Sequence, residues 1–478
     1  MTTFDDVGED GRNDSDVQEL TDQFGNLFRV NKEKDKLSEG GQGVVFREMT
    51  DSDIAIKQPI KQSAEILDYD PSLPIRYSRI RMLPLPQGIH LTTPLSVLRN
   101  QPGYVMRLLN GMRPLKTFMC TGREEKSLES EKMPAWLEET KSKNRKLSLQ
   151  LLHCAKTGGA RVRMESLYLS AALLARLHLK GIVYGDISEN NIFIGENKDS
   201  GFSRMEAWLI DVDNLRLERS AGGGWSATLG FGAPELMQGS GFCSPRTDRW
   251  SFAVLAFKML TFFHPFIGKK VKNGNDDDVD WADDNSDATT GMSLEDQAYH
   301  GLLPYVYDPE DDTNGYAGDG LPIELVSSKA LQRLFIETFG PGRTCPHRRP
   351  DMAFWALEFA KAHDLLLNCP GCGMSYFPKE NVQCPFCDRP RPAFVIAKIK
   401  DRDWEKVFFE GSDRIHPLPH RLFHQFSLSR GADVEYEAEI DFSKRLARPV
   451  RGSRSFPREL EFGFVDSTGT CNGKGSAI

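Results

Sequence analysis

The stretch YGDISENNIF, residues 184–193, places Asp186 and Asn191 five residues apart between apolar flanks. Phosphoryl transfer needs a carboxylate that orients the attacking hydroxyl and accepts its proton. It also needs an amide oxygen nearby to hold a magnesium ion on the triphosphate. An Asp-x-x-x-x-Asn spacing alone is weak evidence, because both residue types crowd ordinary turns. Its weight depends on what lies around it, and in what order.

Upstream, LSEGGQGVVF (37–46) follows a β-rich run, FRV (28–30), and leads into another. Gly40, Gly41 and Gly43 lack side chains, so backbone N–H groups there can approach phosphate oxygens. A plain hairpin turn has the same composition. IAIK (54–57) is an apolar strand ending on Lys57, where a buried strand normally avoids charge. Lys57 therefore wants an anion, and phosphates above the glycine turn would supply one. Downstream, LIDVD (209–213) is an apolar strand ending in a carboxylate, so Asp211 is a candidate second metal ligand, with Asp213 two residues on. GAPEL (232–236) and DRWSFAVLAF (248–257) read as a loop signature and an apolar helix.

This ordered set resembles the eukaryotic-like, bacterial-style Ser/Thr protein kinase family over roughly 25–365. The resemblance implies an α+β, bilobal fold: a kinase domain at 21–365, with a β-rich N-lobe to about 110 and a helical C-lobe from about 111. It implies that Lys57 pairs with the α- and β-phosphates of ATP and that Asp186 is the catalytic base. Gly40, Gly41, Gly43 and Val45 would border the nucleotide, and Asn191 and Asp211 would hold Mg2+. Met106 would precede the hinge, setting 107–109 against adenine. Glu235 would pair with Arg349, and Asp248 would brace the catalytic loop through its backbone.

The sequence departs from the family pattern at several points. Ser38 stands at the first loop glycine, Tyr184 and Gly185 at the usual His and Arg, and Ser188 at the catalytic-loop lysine. Val212 and Asp213 follow the metal aspartate in place of Phe and Gly. Glu65 is the only glutamate between Lys57 and Pro84, and it lies early for the helix glutamate that the family pairs with the strand lysine. Without an arginine at 185, a phosphate on Ser220, Ser226 or Thr228 lacks its usual fork-shaped partner. Control is therefore expected through the C-terminal modules or a partner.

Nine cysteines occur, four of them in CPGCGMSYFPKENVQCPFC as two C-x2-C knuckles. Cys369, Cys372, Cys384 and Cys387 fit a tetrahedral Zn2+ site, and so short a segment needs a metal to fold. The segment (366–390) looks like a rubredoxin-like zinc ribbon, which could bind nucleic acid or protein or cap a neighbouring domain. Beyond the linker DRPRP (388–392), β-rich runs such as AFVIAKI and VEYEAEIDF predict a small all-β sandwich or barrel at 391–467. His416, His420 and His424 fall four apart, but Pro417 and Pro419 spoil a helix, so loop or strand-edge histidines are expected.

The 478-residue chain is 39% hydrophobic with a net charge of −8, which supports several cores and argues against a nucleic-acid-seeking surface. No apolar run suggests a signal peptide or a membrane span, so a cytoplasmic protein is expected. Residues 1–20 read as a disordered acidic N-terminus, about 270–320 as a mobile acidic insertion, and 468–478 as a loose tail. A charged insertion is expected at 121–147. The reading is a protein kinase acting on a protein substrate with ATP, Mg2+ and Zn2+. The loop, the YGD run and the ribbon also look similar to prokaryotic kinases coupled to a phosphatase and a von Willebrand factor A partner. A small-molecule phosphotransferase of kinase-like fold and a pseudokinase scaffold stand as alternatives.

Overall fold

The computed structural model describes residues 16–40, 43–60, 72–99, 101–197, 204–218, 228–274, 292–424, 434–467 and 471–475. By contact the chain divides into two units. One comprises Met1–Pro84, Leu91–Met112 and Leu209–Leu215; the other comprises Leu85–His90, Arg113–Trp208 and Arg216–Ile478.

The first unit is built on strands β1 (Val17–Thr21), β2 (Leu27–Asn31), β3 (Lys36–Gly40), β4 (Gly43–Arg47), β5 (Ile54–Gln58), β6 (Ser96–Val97) and β7 (Tyr104–Arg107). The last five form an antiparallel sheet in the order β3-β4-β5-β7-β6, and β1 and β2 form a separate hairpin. Leu20 and Val30 from the hairpin share one core with Val44, Phe46, Ile56, Leu98 and Val105. Alternation along β4 and β5 sends these apolar side chains to one face. Helix α1 (Ser72–Arg81) lies in the same unit.

Helices dominate the second unit. The principal ones are α2 (Arg145–Lys156), α3 (Gly159–His178), α4 (Pro245–Thr261), α5 (Lys329–Phe339) and α6 (Met352–Leu365). Ser244 caps α4 in a capping box with Thr247, and Pro245 occupies the first turn, where its missing N–H costs nothing. Asp351 caps α6 through the N–H groups of Ala353 and Phe354. Phe252, Phe257, Phe335, Phe339, Trp250 and Trp355 interlock as an aromatic core between α4, α5 and α6.

The cysteine segment sits against α3. Leu367–Asn368 pairs with Ser375–Tyr376, while Arg161 of α3 donates to Leu366 O (2.6 Å) and Asn368 Oδ1 (3.3 Å). The C-terminal strands form two antiparallel sheets. Glu405–Phe409, Phe394–Ile399, Leu460–Val465 and Cys471–Gly475 make one, and Ile415–Pro419, Val434–Asp441 and Leu446–Pro449 make the other. Asp364, fully buried at the end of α6, joins the helices to these sheets. Its oxygens accept from Trp404 Nε1 (3.0 Å), Lys406 Nζ (2.9 Å) and Arg421 Nε and Nη2 (2.9 and 2.7 Å). Burial opposes its ionisation, but Lys406 and Arg421 hold the carboxyl well below the usual carboxylate range.

Three segment expectations need correction. The region about 270–320 is not one mobile acidic loop: Lys269–Asn273 and Leu294–Tyr299 are helical, and Leu303, Tyr305 and Asn314 are buried. Aromatic burial there outweighs charge repulsion, and Asn314 Nδ2 donates to Phe266 O and Pro304 O (both 2.9 Å). Residues 275–291, which carry most of the acidic run, lie outside the described residues. The tail expected to be loose contains a strand, Cys471–Gly475, paired with Leu460–Val465. The acidic N-terminus yields to β-structure from Val17, because Leu20 belongs to the core. The charged insertion at 121–147 is also structured: Thr121 caps the helix Gly122–Leu128, and Leu128, Met133 and Leu137 are buried.

Candidate active site

The expected site residues fall into two groups, one in each unit. In the first unit, β3 and β4 meet with Gly40 opposite Gly43. A side chain on Gly43 would sit 2.8 Å from Gln58 O and 3.2 Å from Lys57 Cε, so only glycine allows so close an approach. Gly41 lies outside the described residues. Val45 pairs across the sheet with Lys57, and Met106 pairs with Ala55. Leu108, in the segment expected against adenine, donates its N–H to Asp53 O (2.7 Å).

Lys57 is buried, and its ammonium meets Asp211 Oδ1 at 2.5 Å and Asp213 Oδ2 at 2.8 Å. Burial penalises that charge, yet Asp213 and Asp211 overcome the penalty and raise the lysine pKa above its ordinary value. Tyr104, opposite Lys57 in the sheet, donates its hydroxyl to Asp213 Oδ1 (2.9 Å). Asp211 itself adopts a left-handed backbone (φ 55°), which opens a single 3-10 turn, Val212–Asn214. Such a conformation costs roughly 1–2 kcal/mol for a residue with a Cβ, and Asp tolerates it better than most. Glu65 lies outside the described residues. The role of Asp213 was invisible in its spacing because it depends on this turn.

In the second unit, Asp186 and Asn191 are buried together, and Asn191 Nδ2 donates to Asp186 O (2.9 Å). The amide oxygen is therefore the end of Asn191 suited to a cation. Asp248 clamps the loop as expected: it accepts from Tyr184 N (2.8 Å) and Gly185 N (2.9 Å) and lies 3.0 Å from His178 Nε2. Arg349, fully buried over the Trp250 ring, makes the expected pair with Glu235 as a double hydrogen bond, each arm 2.8 Å.

Thr228 departs from expectation. Its hydroxyl donates to Asp186 Oδ1 (2.9 Å) in a recess bordered by Gly185, Phe231 and Ser251. A phosphate there would place negative charge against Asp186, so Thr228 fits a positioning role better than a regulatory phosphosite. No sequence signal marked this contact, which spans 42 positions between two loops. Ser220 and Ser226 lie outside the described residues.

All four expected cysteine ligands come together. Their sulfur atoms lie within 4.8 Å of one another, with Cys369–Cys387 and Cys372–Cys384 each at 3.6 Å. That is far beyond a disulfide bond and close to the sulfur–sulfur distance of about 3.8 Å that tetrahedral Zn–S bonds of about 2.3 Å require. Gly371 N donates to Cys369 Sγ (3.3 Å), the kind of contact that stabilises a thiolate. The donor set and spacing suit Zn2+.

Of the three spaced histidines, His416 stands apart, while His420 and His424 stack with ring centroids 4.3 Å apart. His416 is buried on Ile415–Pro419; His420, expected in a loop or at a strand edge, instead opens the short helix His420–Phe423, which Pro419 precedes rather than interrupts, and His424 follows it with Nε2 3.0 Å from Glu435 Oε1.

Comparison with known proteins agrees with this geometry. Residues 161–298 match the family model of the protein kinase domain, a span that includes Asp186, Asn191, Asp211, Thr228 and Asp248. The chain is 30% identical over 99 residues to a RAC family serine/threonine-protein kinase homolog of Dictyostelium discoideum, covering 21% of each protein. It is 34% identical over 107 residues to human ribosomal protein S6 kinase alpha-3, covering 22% of this chain and 14% of the relative. It is 32% identical over 102 residues to a serine/threonine-protein kinase US3 homolog of Gallid herpesvirus 2, covering 21% and 24%. The chain thus spans a quarter or less of the length of these curated relatives. Among the described residues no helix is long and apolar enough to cross a membrane.

Proposed function

We propose that the chain is an ATP-dependent Ser/Thr protein kinase that transfers a γ-phosphate to protein hydroxyls. The observation that carries this reading is the Asp186 loop. Its backbone is clamped by Asp248, its carbonyl is held by Asn191, and its carboxylate is met by Thr228. A carboxylate fixed in that way suits a general base that orients a hydroxyl and takes its proton. Mg·ATP supplies the electrophilic phosphorus and the cation that neutralises charge on the leaving group. Lys57 would anchor the α- and β-phosphates, and Gly40, Gly41, Gly43 and Val45 would border the nucleotide. Met106 would line the adenine end. Asp211 and the amide oxygen of Asn191 would hold Mg2+.

The Cys369, Cys372, Cys384 and Cys387 centre would hold Zn2+ in a structural role, since the hairpin it organises is bonded to α3. A cytoplasmic location belongs to the same reading, as does functional coupling to a phosphatase and a von Willebrand factor A protein, the coupling on resemblance alone.

The test is incubation of purified chain with γ-labelled ATP, with and without a proteome extract, followed by phosphoamino-acid analysis. Label in phosphoserine or phosphothreonine supports the proposal. Label confined to small molecules points to a small-molecule phosphotransferase, and no transfer at all points to a scaffold.

A further inference from the structure

Two carboxylates meet one buried ammonium in the first unit, and they are not equivalent. The Asp213 side chain is 10% exposed and that of Asp211 is 22% exposed, against 7% for Lys57. Asp213 is also held more fully. Its Oδ2 takes Lys57, its Oδ1 takes the Tyr104 hydroxyl, and its carbonyl takes Arg76 Nη2 (2.8 Å) from α1. Tyr104 is in turn packed edge-on against Tyr77 of the same helix, with ring centroids 4.8 Å apart. Helix α1 has the sequence SLPIRYSRIR, with no carboxylate of its own. It contributes an arginine and a tyrosine that fix Asp213.

This asymmetry matters once a cation arrives. A carboxylate that ligates a metal gives up much of its charge to it. A buried lysine left without a counter-ion would then pay a heavy desolvation penalty. One aspartate cannot serve both the metal and the lysine, and here there are two.

We propose that Asp213 is the standing counter-ion and positioning residue of Lys57, in the role that a helix glutamate was expected to fill, leaving Asp211 to the cation. The inference rests on the phosphotransferase reading above. It implies that Lys57 is aligned by the turn that also carries Asp211. Alignment of the phosphate anchor then does not depend on a carboxylate borne by a movable helix, and control must act elsewhere.

The test is calorimetric titration of the full chain with AMP-PNP, a non-hydrolysable ATP analogue, over a series of Mg2+ concentrations. Wild type is compared with Asp213→Asn, Asp213→Glu and Asp211→Asn, with circular dichroism confirming fold. At saturating Mg2+, Asp213→Asn should weaken binding about tenfold, the scale of a hydrogen bond to a charged group. It should keep the wild-type dependence on Mg2+ concentration, and Asp213→Glu should restore most of the affinity. Asp211→Asn should instead abolish the Mg2+ dependence. The proposal is overturned if Asp213→Asn binds like wild type, or if it loses the Mg2+ dependence as Asp211→Asn does, which would make Asp213 a cation ligand. If Asp213→Asn does not fold, Tyr104→Phe decides: removing the hydroxyl that holds Asp213 should weaken binding, and unchanged affinity overturns the proposal. A wild-type chain that binds no AMP-PNP overturns the phosphotransferase reading itself, and this proposal with it.

Discussion

Replacing Asp364 by asparagine should destabilise the second unit by about 3–5 kcal/mol, the range for removing one partner from a buried ion pair. The carboxylate is fully buried and receives three hydrogen bonds from the cations Lys406 and Arg421 and one from Trp404, with His363 Nδ1 also 3.4 Å from Oδ1. An amide keeps the shape but removes the charge. It leaves two largely buried cations uncompensated and turns an N–H2 group toward a donor. Since whole domains are stable by only about 5–15 kcal/mol, the loss is a large fraction of the total. Urea unfolding followed by circular dichroism measures it directly. Replacing Asp364, Lys406 and Arg421 together by apolar residues of similar volume should recover most of the loss, because no buried charge is then unpaired. The same reasoning predicts that truncation after residue 390, which removes Trp404, Lys406 and Arg421, destabilises the helical unit rather than releasing it intact. An Asp364→Asn cost below about 1 kcal/mol, or a truncated chain as stable as the full one, would refute it.

Further outcomes follow from the other sites. Protein purified without chelator should contain one zinc per chain by elemental analysis, and Cys384→Ser should lose it while the helical core stays folded; zinc-free wild type would contradict the centre. Thr228→Ala should lower the initial rate on an exogenous protein by tenfold or more, equivalent to about 1.4 kcal/mol of barrier. Ser220→Ala with Ser226→Ala should cost less than that, and the reverse pattern would restore a phosphorylation switch. Burial pushes His264 down to about 3, with the Gly230 carbonyl 2.9 Å from Nε2. The unfolded chain takes up that proton near the ordinary histidine pKa, about 6.5, so stability is complete above it and falls as pH drops from about 6.5 toward the folded value. The loss at pH 5 is about 2 kcal/mol from this residue, and His264→Gln should flatten urea-derived stability over that interval by the same amount.

Much of the candidate site was legible because its chemistry fixes sequence spacing. Asp186 and Asn191 share one loop, the cysteine knuckles are local pairs, and Asp248 and the Glu235–Arg349 pair stand where the kinase resemblance implies them. What escaped depends on contacts that no window spans. Thr228 reaches Asp186 across 42 positions, and Asp213 reaches Lys57 across 156 through a left-handed turn at Asp211. IAIK is a strand and DRWSFAVLAF lies in a helix as read, but LIDVD is not one strand: the strand Arg204–Leu209 ends at its leucine, and the left-handed Asp211 turns the chain into the 3-10 turn Val212–Asn214. Averaged charge misled at 301–320, where Tyr305, Tyr307 and Tyr316 sit among acidic residues but pack on Phe257 and Phe263. The Asp364 network was equally hidden, because an aspartate ending an apolar helix reads as a surface residue until its partners, 40 to 57 positions away, are in place.

The central claim is that Asp186 serves as the base of a phosphoryl transfer, and the most direct measurement is the rate of γ-phosphate transfer to a protein substrate by Asp186→Asn beside wild type. The variant should fold normally and bind AMP-PNP with unchanged affinity while its turnover falls by about 10²–10⁴, the usual contribution of a positioned base. Near-wild-type turnover by Asp186→Asn would contradict the account.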